Sequence, residues 1–139
     1  MAANTLPVFA LTPKKVCVQL TAATTAYDGV SGTAAYTAPA AGAKITRIDC
    51  KVVGKVGALT GGASSTVNKV MIWHTTTGGT KLLPDEILLP HQASPSATVP
   101  SASNYITFSD FQLGSGESIF FTEYVADIVN VFLQIGEFQ

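Results

Sequence analysis

The chain has 139 residues, a net charge of −1 and 12% charged side chains, about half the share of an ordinary soluble domain. Its apolar fraction of 47% is enough for a real core and too high for a disordered chain. The basic residues run from Lys14 to Lys81 with no cluster beyond Lys14-Lys15, so neither direct nucleic-acid binding nor an anionic membrane surface is expected.

With so few charges, serine and threonine must supply the polar surface. Such a surface loses little hydration energy when another protein covers it, so self-assembly or coverage by a partner is the expectation. No apolar run approaches the eighteen or so residues of a membrane-spanning helix. The first residues lack the basic and apolar regions of a signal peptide, which makes a reducing cytoplasm the expected place of synthesis.

Residues 1–13 read as an extended arm. Leu6, Val8, Phe9 and Leu11 are apolar, and Pro7 and Pro13 disfavour a helix, so the arm is expected to pack on its own domain or on a neighbour. Residues 14–139 read as one β-domain, because no stretch carries a sustained 3.6-residue period while period-two segments recur between turns. Val16-Cys17-Val18-Gln19-Leu20 places Val16, Val18 and Leu20 on one face. Ala34 to Thr37 follows a turn-rich Asp28 to Gly32. Lys44 to Val53 sends Ile48, Cys50 and Val52 inward and Arg47, Asp49 and Lys51 to water.

Val67 to His74 is apolar on both faces, Val70 and Ile72 on one, Met71 and Trp73 on the other. Thr77-Gly78-Gly79-Thr80 is a hairpin turn, since glycine accepts positive φ. Lys81 to Leu89 contains Pro84, which marks an edge strand or a bulge. His91 to Asn104 is a long loop without charged side chains. Tyr105 to Leu113, Ser118 to Val125 and Asp127 to Ile135 complete about eight short strands, the rhythm of an all-β two-sheet antiparallel sandwich of jelly-roll type.

Motifs for chemistry are scarce. His74 and His91 are the only histidines, and no C-x-x-C or H-x-x-x-H accompanies them, so no metal, catalytic or cofactor site is expected. Cys17 and Cys50, among apolar neighbours, read as buried thiols, with a disulfide left open. Gly114-Ser115-Gly116-Glu117-Ser118 lacks the order of a nucleophile elbow and reads as a turn. Asp85-Glu86, Glu117 and Glu123, with Trp73, Tyr105 and Tyr124, are the candidates for a glycosidase pair, and their spacing singles out no pair; solvated strand ends are the simpler account. The candidate protein-contact residues are therefore Leu6, Val8, Phe9, Leu11, Trp73, His91 and Tyr105, Trp73 having a core or rim position as its alternative.

The order of several segments is familiar. Thr-Pro-Lys enters the first strand, followed by Thr-Ala-Ala-Thr-Thr-Ala-Tyr-Asp-Gly-Val-Ser-Gly-Thr (21–33) and Tyr-Thr-Ala-Pro-Ala-Ala-Gly-Ala-Lys-Ile-Thr-Arg-Ile (36–48). Val-Met-Ile-Trp-His-Thr-Thr-Thr-Gly-Gly-Thr-Lys-Leu-Leu (70–83), Leu-Gly-Ser-Gly-Glu-Ser-Ile-Phe (113–120) and a Val-rich last strand complete the pattern. It resembles small β-sandwich virion proteins of tailed bacteriophages, some of them similar to capsid decoration, or cement, proteins. The resemblance implies a homotrimeric subunit on the capsid exterior, bound to the major capsid protein and without a catalytic residue. A tail or head-fibre component that binds host glycans through Trp73 and Tyr105 is the alternative it leaves.

Overall fold

A computed structural model describes residues 12–30, 32–55, 67–90 and 103–138. The strands are β1 (Thr12–Leu20), β2 (Thr33–Thr37), β3 (Ala43–Lys55), β4 (Asn68–Thr75), β5 (Lys81–Leu89), β6 (Ser103–Leu113), β7 (Ser118–Glu123) and β8 (Asp127–Glu137). They form two four-stranded antiparallel sheets, sheet A in the order β1-β8-β3-β6 and sheet B in the order β2-β7-β4-β5. β1 pairs with β8, β2 with β7, β3 with β6 and β4 with β5. The chain is thus one long hairpin rolled over itself, which is the jelly-roll arrangement the strand rhythm leads one to expect.

Alternation decides which side chains meet between the sheets. Ile45, Ile48, Cys50 and Val52 of β3 and Val129, Val131, Leu133 and Ile135 of β8 are buried. Val70 and Ile72 of β4, Ile87 and Leu89 of β5, and Ile119 and Phe121 of β7 meet them from sheet B. Cutting a filled residue such as Leu133 to alanine in a core of this kind typically costs about 2–5 kcal/mol.

The free edges of the sandwich are stapled by side chains. On one side the Tyr36 hydroxyl of β2 donates to Glu137 Oε1 of β8 at 2.8 Å, and Lys14 Nζ of β1 donates to the same oxygen at 3.0 Å. Glu137 is held below the usual carboxylate range by these bonds, Lys14 first, while burial pushes the Tyr36 phenol upwards. On the other side Asn104 Nδ2 of β6 donates to the Leu88 carbonyl of β5 at 2.9 Å. Pro84 does what its type requires: it sits in the edge strand β5, opposite a register shift between Ile72 and His74.

The N-terminal strand begins at Thr12, so Pro13, assigned from sequence to the arm, lies in β1. Leu6, Val8, Phe9, Leu11 and His91 lie outside the described residues.

Candidate functional site

Each sheet has an outer face, and the two are built differently. On sheet B the outward side chains Met71, Trp73 and Phe120 are buried and form a second apolar cluster with Leu83. The Trp73 and Phe120 rings stack with centroids 6.2 Å apart. Trp73 Nε1 donates to the Thr122 hydroxyl at 2.9 Å, which satisfies the one polar atom of the indole.

The β1–β2 connection covers this cluster. A Cβ on Gly29, whose φ is +62°, would lie 2.9 Å from Trp73 Cε3, and a Cβ on Gly32 would lie 1.9 Å from Phe120. Both positions therefore require glycine, the first for its backbone and the second for closeness. Lys81 Nζ ties the cover down, donating to the Gly29 carbonyl at 2.6 Å while lying 4.9 Å over the Phe120 ring. Trp73 is 4% exposed, so the candidate contact residue of this face is spent on internal packing.

The outer face of sheet A carries no such cluster among the described residues. Its register places Cys17, Phe132, Asp49 and Tyr105 in one row across all four strands. Lys15, Gln134, Arg47 and Thr107 form the next row, and Gln19, Asn130, Lys51 and Ser103 the one beyond. Phe132 is 42% exposed on the central strand β8, and Tyr105 is 55% exposed on the edge strand β6. The Arg47 guanidinium lies 3.8 Å from the Tyr105 ring centroid. Its Nε and Nη2 donate to Asp49 Oδ1 at 2.8 and 2.6 Å. Tyr105 is thus presented with its cation already positioned, at little entropic cost to a later contact.

Cys17 faces outward in this row, which corrects the expectation of a buried thiol. Its own strand explains the difference: Val16, Val18 and Leu20 turn inward, so the residue between them must turn out. Cys50 is buried as expected, both cysteines are free, and burial pushes the Cys50 thiol up to about 12.

Among the described residues three further titratable clusters stand out, each committed to structure. His74 Nε2 and Glu117 Oε2 are 2.9 Å apart, and the Gly114 N–H donates to the same carboxylate oxygen at 2.8 Å. That N–H is the main cause of the lowered Glu117 pKa, and the pair clasps β4 to the β6–β7 turn. Lys69 forms an ion pair with Glu86 at 2.9 Å and lies 4.6 and 5.3 Å from the ring centres of Tyr27 and Tyr124.

The third cluster overturns an expectation. Glu123 is not a solvated strand end; it is 0% exposed. Asn68 Nδ2 donates to Glu123 Oε2 at 3.3 Å, to Asp127 Oδ2 at 3.2 Å and to the Val125 carbonyl at 2.9 Å. Asn68 Oδ1 in turn accepts from the Lys69 and Val125 N–H groups, which fixes the orientation of the amide. Burial pushes Glu123 up to about 8, helped by the neighbouring Asp127 charge and opposed by the Asn68 bond. The cluster joins the start of β4, the end of β7 and the start of β8, and the Glu123 carbonyl accepts from Thr24 N–H at 2.7 Å to anchor the β1–β2 connection.

No protein-family model matches the chain. No curated protein matches it either. Among solved structures it is similar to a chain from a structure described as "Bacillus endospore appendages form a novel family of disulfide-linked pili", with 16% identity and a TM-score of 0.28, over 89% of this chain and 83% of that one. A likeness that distant bears on neither mechanism nor partner.

Proposed function

We propose that this chain is a non-catalytic structural subunit of a tailed-phage virion that decorates the capsid exterior and holds neighbouring major capsid proteins together. The reading takes its identity from the resemblance of the segments 21–33, 36–48, 70–83 and 113–120 to small β-sandwich virion proteins of tailed phages, some of them similar to decoration proteins. One structural observation supports it most directly. Sheet A presents a four-stranded face on which Phe132 and Tyr105 stand exposed, while the Trp73–Phe120 cluster on the outer face of sheet B is buried under the β1–β2 connection. Exposed aromatic and arginine side chains on a sheet face that the described residues leave uncovered are the composition of a protein interface, not of a substrate cleft.

Mechanically, a subunit that binds only the assembled shell stabilises that state by linkage. Contacts that are individually weak add by avidity when copies, here as trimers, repeat over a symmetric lattice. The alternative of glycan binding loses one of its two stacking platforms, since Trp73 is buried, and Arg47 lies over the other.

The deciding experiment compares shells assembled with and without this chain. Shells that lack it should rupture at lower temperature and lower internal pressure, and adding the purified chain back should restore the difference. Equal durability of the two preparations removes the decoration reading.

A further inference from the structure

Folding gathers charges that the sequence scatters. Of the eight basic residues, Lys15, Lys44, Arg47 and Lys51 come to the outer face of sheet A, because β1 and β3 both flank β8. Their alternation partners Ala43, Ile45, Ile48, Cys50 and Val52 point into the core, which fixes the direction of the β3 cations. Arg47 is neutralised by Asp49. Lys15, Lys44 and Lys51 have no acidic partner among the described residues; Asp110 of β6, bonded to the neutral Gln112 amide, keeps its charge and offsets about one of the three. This face is therefore basic on a chain whose net charge is −1.

The surroundings of these cations are those of a protein contact. Phe132 sits between the lysine rows, and the Tyr105–Arg47 pair lies beside it. Like charge on like charge disfavours two such faces meeting each other, whereas an acidic partner surface would be attracted and oriented before contact. The nine-residue span over which β1 pairs with β8, across four strands spaced about 4.7–4.9 Å apart, gives a face of about 30 by 15–19 Å, below the ~800 Å² per partner of a stable pair, so lattice repetition must supply the rest.

From this placement we infer that the outer face of sheet A is the docking face and that its partner is an acidic protein surface, with Lys15, Lys44 and Lys51 supplying the attraction and Phe132 the buried contact. The inference rests on the decoration reading for the identity of that surface, and on charge placement alone for its chemistry.

Two assays separate these. In the first, the full chain is titrated onto shells assembled without it. Wild type should bind more weakly as salt rises from 50 to 500 mM, Lys15→Glu with Lys51→Glu should lose at least tenfold in affinity, and Phe132→Ser should lose a similar factor at every salt concentration. The control Thr25→Glu with Thr77→Glu, which adds negative charge at exposed positions away from this face, should bind within twofold of wild type. Failure of wild type to bind shells at all sinks the decoration reading.

In the second assay immobilised poly-L-glutamate replaces the shell. Retention of wild type and of the control, with loss of the Lys15/Lys51 variant, upholds the docking chemistry whatever the shell result. Equal retention of all three, or of none, overturns it. So does twenty-residue poly-dT outcompeting poly-L-glutamate, which makes the ligand a nucleic acid, and so does concentration-dependent dimerisation that Lys51→Glu abolishes, which makes it a second copy. Unchanged melting temperatures keep misfolding out of the comparison.

Discussion

The two outer faces start from the same architecture and end with opposite fates. Each belongs to a four-stranded antiparallel sheet, and each carries large aromatic side chains pointing away from the sandwich core. On sheet B the aromatics are Trp73 and Phe120, and the chain spends the β1–β2 connection on covering them. On sheet A they are Phe132 and Tyr105, spread among lysines and amides, and they stay at the surface. The difference lies in what surrounds the rings. Trp73 and Phe120 stack beside Met71 and Leu83 and form an apolar patch that water disfavours as a whole. Phe132 has Asp49 and Cys17 as its cross-strand neighbours, so it stands alone and remains tolerable in water until a partner arrives.

The largest effect that could break this contrast is expected from deleting one aromatic on each side. Trp73→Ala removes a buried indole and leaves Thr122 without its donor, and should cost about 3–5 kcal/mol. Phe132→Ser, on a face over which the described residues place nothing, should change stability by less than about 1 kcal/mol. Urea unfolding followed by circular dichroism checks both. Comparable losses would mean that the sheet A face is also part of the core.

Next in size is the anchor of the cover. The folded-state pKa of Glu123, about 8, lies above the ordinary carboxyl value of 4.5, so folding favours its protonated form. Its contribution is complete below about pH 4.5, declines as pH rises towards 8, and is flat beyond. Glu117 and Glu137, whose pKa values are lowered, act in the opposite sense and only on the acid side. Stability measured between pH 5 and 9 should therefore fall by a few kcal/mol, on the scale of about 1.4 kcal/mol for each tenfold difference in proton affinity between the folded and unfolded chain. Glu123→Gln keeps the Asn68 contact without a titrating proton and should flatten that slope. A slope that survives the substitution places its origin elsewhere.

Gly32→Ala tests the cover itself. The new Cβ would overlap the Phe120 ring, and overpacking of this kind typically costs about 1–3 kcal/mol. Trp73 is the sole tryptophan, so its emission should shift to the red as the connection lifts. Unchanged emission together with unchanged stability would show that the connection is not needed to bury the indole.

Much of the fold is legible in the sequence because alternation is a local signal. Val16, Val18 and Leu20, then Ile48, Cys50 and Val52, then Val129, Val131, Leu133 and Ile135 each declare their inner face without help from the rest of the chain. In β4 the apolar character of both faces is readable, but not what lies over the second one, since Gly29 and Gly32 look like ordinary turn residues until a ring is found beneath them. Glu123 escapes a sequence reading for a related reason. Its burial depends on Asn68 from β4 and the start of β8, and nothing near it in sequence announces either. The gathering of Lys15, Lys44 and Lys51 on one face is equally hidden, because it needs the strand order and not merely the strands.

The smallest effect is chemical and sharpens the contrast without altering the fold. Cys17 shares the sheet A row with Phe132 and is exposed, whereas Cys50 is buried with its thiol pushed up to about 12. The thiolate is the reactive form, so a maleimide at pH 7.5 should modify the native chain once, at Cys17, and twice after denaturation. Because the described residues place nothing over that row, the adduct should leave the melting temperature within about a degree, a change well under 1 kcal/mol. On a decorated shell the same position should be protected if sheet A is the face that meets the partner. Slow labelling of Cys17 in the free chain would show the face to be covered already, and full labelling on the shell would move the contact to another surface.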